Sequence, residues 1–137
     1  MEVQPYLFFE GRCREALEFY KKVLGAEVLM SMKFSESPDP NACAEVPGDS
    51  IMHASFKIGN STIMASDGRS SGKLKFEGFA LSVTPATDEQ AHRIFADLSK
   101  GGQVQMPLAK TFFASTFGMC ADQFGVSWMI YVENKTK

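Results

Sequence analysis

The chain has no basic run and no long apolar stretch. Its formal net charge is −2, with lysines and arginines scattered rather than clustered. Nucleic-acid binding needs a clustered cationic surface, so nucleic acid is not an expected partner. No segment approaches the roughly 20 apolar residues that cross a bilayer. Met1-Glu2-Val3-Gln4-Pro5 has neither the basic nor the apolar part of a secretory signal. A cytoplasmic protein away from the membrane is expected. Cysteine is scarce: Cys13, Cys43 and Cys120 are the only three. An odd count without C-x-x-C argues against a disulfide framework or a zinc knuckle, and inert thiols are expected. There is no nucleophile elbow, P-loop or dinucleotide fingerprint.

What the chain does have is a faint copy of itself. Glu15-Ala16-Leu17-Glu18-Phe19-Tyr20-Lys21-Lys22-Val23 leads through Gly25 to Glu27-Val28. Later, Gln90-Ala91-His92-Arg93-Ile94-Phe95-Ala96-Asp97-Leu98 leads through Gly101-Gly102 to Gln103-Val104. Ile58-Gly59-Asn60-Ser61-Thr62-Ile63-Met64 is echoed by Phe124-Gly125-Val126-Ser127-Trp128-Met129-Ile130. A duplicated unit predicts two similar modules, with the seam between them a natural ligand site. Eight methionines and twelve phenylalanines supply either core filling or flexible, polarizable pocket walls.

Val3 to Phe9 predicts a strand. Cys13, Ala16, Leu17, Tyr20, Val23 and Leu24 then share one helix face. Glu18 and Lys22 form an i,i+4 pair opposite it, and Gly25 ends the helix. Ala26 to Phe34 predicts the next strand. Ser35 to Ser50 holds Pro38, Pro40 and Pro47 and reads as a long loop, either a mobile lid or a partly disordered segment. Ile51–Ile58, Gly59-Asn60 and Ser61–Ser66 predict a two-residue hairpin that sets Ile58 opposite Ser61. Phe56 then faces Ile63, and Ala54 faces Ala65. His53, Ser55, Lys57, Thr62, Met64 and Ser66 share the other side. In the second module, Phe79 to Val83 predicts a strand and Thr87 with Gln90 a capping box. Ala91, Ile94, Phe95 and Leu98 predict a buried helix stripe. Strands follow at about 103–106, 113–121 and 126–133. Module one thus spans about 1–67, a linker 68–76, and module two 77–133, within a single domain of 1–137.

This wording resembles the glyoxalase / bleomycin-resistance / extradiol-dioxygenase group, the vicinal oxygen chelate superfamily, and its PhnB-like branch in particular. Carrying the resemblance are Phe9-Glu10-Gly11 with Glu15-Ala16 and Phe19-Tyr20, Leu24-Gly25-Ala26-Glu27-Val28, His53-Ala54, Ser66-Asp67 and Asp122-Gln123-Phe124-Gly125-Val126-Ser127-Trp128-Met129. One departure is Phe113, where the branch usually has tryptophan. The resemblance implies an α+β fold of two paired β-α-β-β-β modules, with mixed sheets forming a cleft. It also implies a twofold homodimer. In metal-dependent members, first- and last-strand side chains of each module hold one divalent ion. The corresponding positions here are Gln4 or Pro5, Phe79, Ile63 or Met64, and Met129. Only Gln4 could ligate, so no metal is expected. Some PhnB-like proteins resemble sequences labelled as ubiquinone-pathway methyltransferases. No glycine-rich strand–turn–helix start is present to cradle S-adenosylmethionine, so no cofactor is expected.

The candidate ligand-binding residues are His53, Met64, Phe79, Phe113 and Met129, lining inner sheet surfaces for a small apolar or aromatic molecule. His53 is either a polar anchor or general base in the cleft, or a half-buried strand histidine. His92 reads as a surface residue. Phe112, Phe113 and Phe117 are pocket wall or core. Asp67 and Asp122 read as turn-capping carboxylates. The alternative function is an enzyme of the same superfamily, a lyase or dioxygenase with an unrecognised metal or acid–base chemistry at His53.

Overall fold

The first apolar run forms strand β1 (Tyr6–Phe8) in a computed structural model that describes residues 1–37, 49–68 and 73–134. Of the loop expected from Ser35 to Ser50, residues 38–48, with Cys43, lie outside the described residues. The chain divides into two compact units, Met1–Leu74 and Lys75–Lys137.

In the first unit, the Phe9-Glu10-Gly11-Arg12 turn joins β1 to helix α1 (Cys13–Leu24). Arg12 N–H donates to the Phe9 carbonyl at 3.0 Å. Both central residues have positive φ, Glu10 at 46° and Gly11 at 102°, which turns the chain sharply. Helix α1 forms because Cys13, Ala16, Leu17 and Tyr20 bury one stripe. It ends at Gly25, whose left-handed φ of 68° a side chain would oppose. The expected Glu18–Lys22 pair is instead Glu18–Lys21 at 3.5 Å, exposed on both sides, a contact worth little. Strands β2 (Glu27–Lys33), β3 (Ile51–Ile58) and β4 (Ser61–Ser66) follow. The sheet order is β1-β4-β3-β2. β1 runs parallel to β4, and the other neighbours are antiparallel. The hairpin has the register that its Gly59-Asn60 turn predicts, with Ile58 opposite Ser61 and Phe56 opposite Ile63.

Alternation then sorts the residues of this sheet. Leu7, Ala54, Phe56, Ile63 and Ala65 are buried, and α1 covers this face by stacking Tyr20 on Phe56, ring centroids 5.9 Å apart. The face turned away from α1 carries Tyr6, Phe8, Met30, Met32, His53, Ser55 and Met64.

The second unit repeats the plan with β5 (Leu81–Val83), α2 (Asp88–Ser99), β6 (Gln103–Ala109), β7 (Ala114–Ala121) and β8 (Ser127–Glu133). The order is β5-β8-β7-β6, with β5 parallel to β8. Thr87 caps α2 by accepting from Gln90 N–H at 3.1 Å. The Gln90 side chain returns to Ala86 N–H at 3.0 Å rather than to Thr87, so the capping box closes one residue early. Ala91, Ile94 and Leu98 are buried on the helix, and Cys120, Trp128, Ile130 and Val132 on the strands. Met119, Met129, Phe117 and Tyr131 alternate onto the other face.

The α+β architecture of two β-α-β-β-β modules is therefore present. The strand predicted from Phe79 begins two residues later, at Leu81. Gly78 has a left-handed φ of 81°, and the chain pairs with β8 only after this bend. Among the described residues, no helix is long and apolar enough to cross a membrane.

The two described thiols are buried, as expected of inert cysteines. Burial, with Asp67 nearby, pushes the Cys13 thiol up from 9.0 to about 12. Burial, with Asp122 nearby, pushes Cys120 up to about 11. Below pH 9 folded and unfolded chains both hold these protons, so the thiols add no pH dependence. Above it the unfolded chain releases them first and stability falls, by up to about 1.4 kcal/mol per pH unit per thiol. Urea unfolding at pH 8 and pH 10 should show this loss, and the Cys13→Ala/Cys120→Ala double variant should show a shallower one. Equal slopes in the two proteins would contradict it.

Candidate functional site

Two buried carboxylates hold the ends of the strands. Asp67 is 4% exposed and follows β4. Its Oδ1 accepts from Cys13 N–H and its Oδ2 from Ile51 N–H, both at 2.7 Å. It thereby ties the first turn of α1 to the start of β3. Asp122 is 2% exposed and sits in the β7–β8 turn. Its Oδ1 accepts from Phe124 N–H at 2.9 Å and Val126 N–H at 3.1 Å. Its Oδ2 accepts from Trp128 Nε1–H at 2.9 Å. Both are the capping carboxylates that the sequence suggests, and their oxygens are committed to the fold.

His53, Met64 and Met129 lie on the sheet faces turned away from the helices. On the first, β3 and β1 bring His53 and Tyr6 together. The Tyr6 hydroxyl and His53 Nδ1 are 2.9 Å apart, with ring centroids 5.5 Å apart. Phe8 lies 5.0 Å from Tyr6, and Met64 is the cross-strand partner of Tyr6. Both rings of the pair are half-buried. Sequence reasoning named His53 and Met64 but missed Tyr6 and Phe8. On the second sheet, Phe113 stacks on Tyr131 with centroids 6.1 Å apart and meets Phe117 edge-on at 5.2 Å. Met129 is paired with Met119, and Met119 with Met106. This places Phe113 and Met129 on one methionine-and-aromatic face. Phe79 is not brought there by its strand. It precedes β5, is 46% exposed and meets Phe76 edge-on at 6.5 Å. His92 is exposed on α2.

Of the positions that the family resemblance aligns with metal ligands, Gln4 donates its side-chain amide to Glu2 at 3.0 Å, and Phe79 and Met129 carry no side-chain nitrogen or oxygen. β1 and β4 pair Tyr6 with Met64, while Ile63 turns to the helix side and is 5% exposed. β5 and β8 pair Ser82 with Met129. The thioethers of Met64 and Met129 and the phenyl ring of Phe79 supply none of the imidazoles and carboxylates that a hard or borderline divalent ion requires. No group of three or more His, Cys, Asp or Glu converges among the described residues. The donor set does not fit such an ion.

These modules define a protein of the glyoxalase / bleomycin-resistance fold. The fosfomycin resistance protein FosX of Mesorhizobium loti shares it, at 12% identity and a TM-score of 0.65, over 99% of this chain and 94% of that one. The chain belongs to the PhnB-like family, whose sequence model, described as 3-demethylubiquinone-9 3-methyltransferase, matches residues 1–131. It is 38% identical to protein YjdN of Escherichia coli K12, covering 96% of this chain and 95% of that one. The solved structure of protein PA1353 from Pseudomonas aeruginosa is 39% identical with a TM-score of 0.84, covering 97% and 98%. The PhnB protein of Bacillus cereus is 27% identical with a TM-score of 0.81, covering 96% and 99%.

The family's description names a methyl transfer, which implies a methyl donor such as S-adenosylmethionine. The glycine turn after β1 leads into α1, but the first amide of that helix is held by the Asp67 carboxylate at 2.7 Å. α2 follows β5 without a glycine in the connection. Neither strand–helix junction offers the glycine-rich cradle such a donor takes, so the described residues do not fit it.

Proposed function

We propose that this chain is a small-molecule-binding protein that works without a divalent metal, taking an apolar or aromatic ligand on the sheet faces turned away from α1 and α2. The observation that carries this reading is the composition of those faces. Met64 and Met129, on those faces, stand at positions that the family resemblance aligns with metal ligands, and a hydrogen-bonded Tyr6–His53 pair lies beside Met64. Methionine adapts its shape to a ligand, aromatic rings stack, and a few polar groups fix orientation. The protein is cytoplasmic in this reading. Equilibrium dialysis against an apolar probe such as 2-ethylnaphthalene, with and without chelator, tests it. Saturable binding that chelator leaves unchanged supports the proposal. Absence of binding, or near-stoichiometric zinc, nickel, iron or manganese in elemental analysis whose loss abolishes binding, contradicts it.

A second reading, acid–base chemistry at His53, is favoured by the 2.9 Å Tyr6–His53 contact. Turnover of a bound compound that His53→Ala abolishes would move the assignment to an enzyme.

The assembly we propose is a homodimer. β2 and β6 are edge strands, and they expose Leu29 (51%), Met30 (41%), Val104 (47%) and Met106 (46%). Apolar edges of this kind are normally covered, and a second copy of the chain supplies a twofold cover. Light scattering should give twice the 15.1 kDa chain mass, and a monomer at micromolar concentration would contradict it.

A further inference from the structure

We infer that Tyr6 and His53 act as one hydrogen-bond donor unit, selecting ligands that carry an oxygen acceptor on an apolar body. This deepens the binding reading above and rests on it. The contact between the Tyr6 hydroxyl and Nδ1 is 2.9 Å, so one proton lies between the two atoms. If the hydroxyl donates, the neutral imidazole carries its own proton on Nε2 and presents an N–H outward. If Nδ1–H donates, the tyrosine hydroxyl keeps its proton and presents an O–H outward. A protonated imidazole presents both. In every state the pair offers at least one donor, and His53 Nε2 makes no hydrogen bond among the described residues.

The surroundings decide what complements that donor. Phe8 and Met64 flank the pair with apolar surface. Among the described residues, strand register sets Lys33 opposite Ile51, two residues from His53, while Glu27 and Lys57 pair at the far end of β3, roughly 13 Å from His53 at strand spacing. A carbonyl, carboxylate or phenolate oxygen finds a donor. An apolar ligand without such an atom leaves that donor unpaired as it covers the face, which weakens binding.

Two probes of matched shape separate the possibilities: 2-acetylnaphthalene, which has a carbonyl oxygen, and 2-isopropenylnaphthalene, which has a CH2 group in its place. Equilibrium dialysis should show the ketone binding the parent chain about 3- to 10-fold more tightly, the range of one net hydrogen bond. The ratio should fall in Tyr6→Phe and in His53→Phe. It should reach one in the double variant, which still binds the hydrocarbon. Tyr6→Phe removes a single oxygen, so it keeps the test available should His53→Phe fail to fold. A ratio of one in the parent chain, or an unchanged ratio in Tyr6→Phe and the double variant, overturns the inference while leaving the binding proposal intact. Binding of neither probe overturns both.

Discussion

Asp122→Ala should unfold with a free energy about 3–5 kcal/mol below that of the parent chain, because three buried donors lose their acceptor together. Those donors are the amides of Phe124 and Val126 and the Trp128 indole N–H. All three residues are at most 2% exposed, so water reaches them poorly. The change propagates beyond the turn. Asp122 fixes the β7–β8 hairpin, and that hairpin sets the alternation that turns Trp128 to the helix and Met129 to the opposite face. Asp122→Asn keeps an acceptor oxygen and the shape, and should lose less, about 1–3 kcal/mol. Urea unfolding of the two variants gives the comparison. A loss under about 1 kcal/mol in Asp122→Ala, the level of an ordinary surface change, would contradict the role assigned to this carboxylate.

Tyr20→Ala should lose a similar amount, about 3–5 kcal/mol, as large-to-small changes of buried rings do. Tyr20 is fully buried. It stacks on Phe56 at 5.9 Å and meets Phe9 at 6.1 Å, so its removal opens a cavity between α1 and the sheet. The face that carries His53 lies on the far side of that sheet. Truncating His53 to alanine should therefore lower stability by less than about 1 kcal/mol. The contrast between the two variants, measured by the same unfolding curves, separates the packed face from the face proposed to take the ligand. Near-equal losses would place His53 in the structural core instead.

Most of the scaffold was legible in the chain because it is specified locally. Gly59-Asn60 fixes a two-residue turn, and period-two alternation then assigns every side chain from Ile51 to Ser66 to a face. The stripe of Cys13, Ala16, Leu17 and Tyr20 fixes α1, and Thr87 fixes the start of α2. Asp122 was legible as a turn cap because its amide partners are two and four residues away. Its indole partner was not, since a side-chain direction decides that bond.

The site was less legible because its key contact is nonlocal. Tyr6 and His53 are 47 residues apart in sequence. They meet through the parallel β1–β4 pairing, whose register no hairpin turn sets. β1 is only three residues long, too short for alternation to show which of Tyr6 and Leu7 faces the helix. The same limit displaced Phe79. Its apolar character reads as strand, while the left-handed bend at Gly78 delays pairing to Leu81. Phe113, just ahead of β7, was found by its neighbours in composition, and the stacking on Tyr131 across the β7–β8 ladder is what gives it a position.

The most direct measurement is methyl NMR of the chain labelled at its methionine methyl groups, titrated with 2-acetylnaphthalene. Aromatic ring currents displace the resonances of methyls lying against the probe. Saturable shifts at Met64, beside Tyr6 and His53, and at Met129 on the second module's open face, with Met1 unmoved, are the result that the binding account predicts. A titration that leaves Met64 and Met129 in place, or moves only methyls elsewhere, would contradict it.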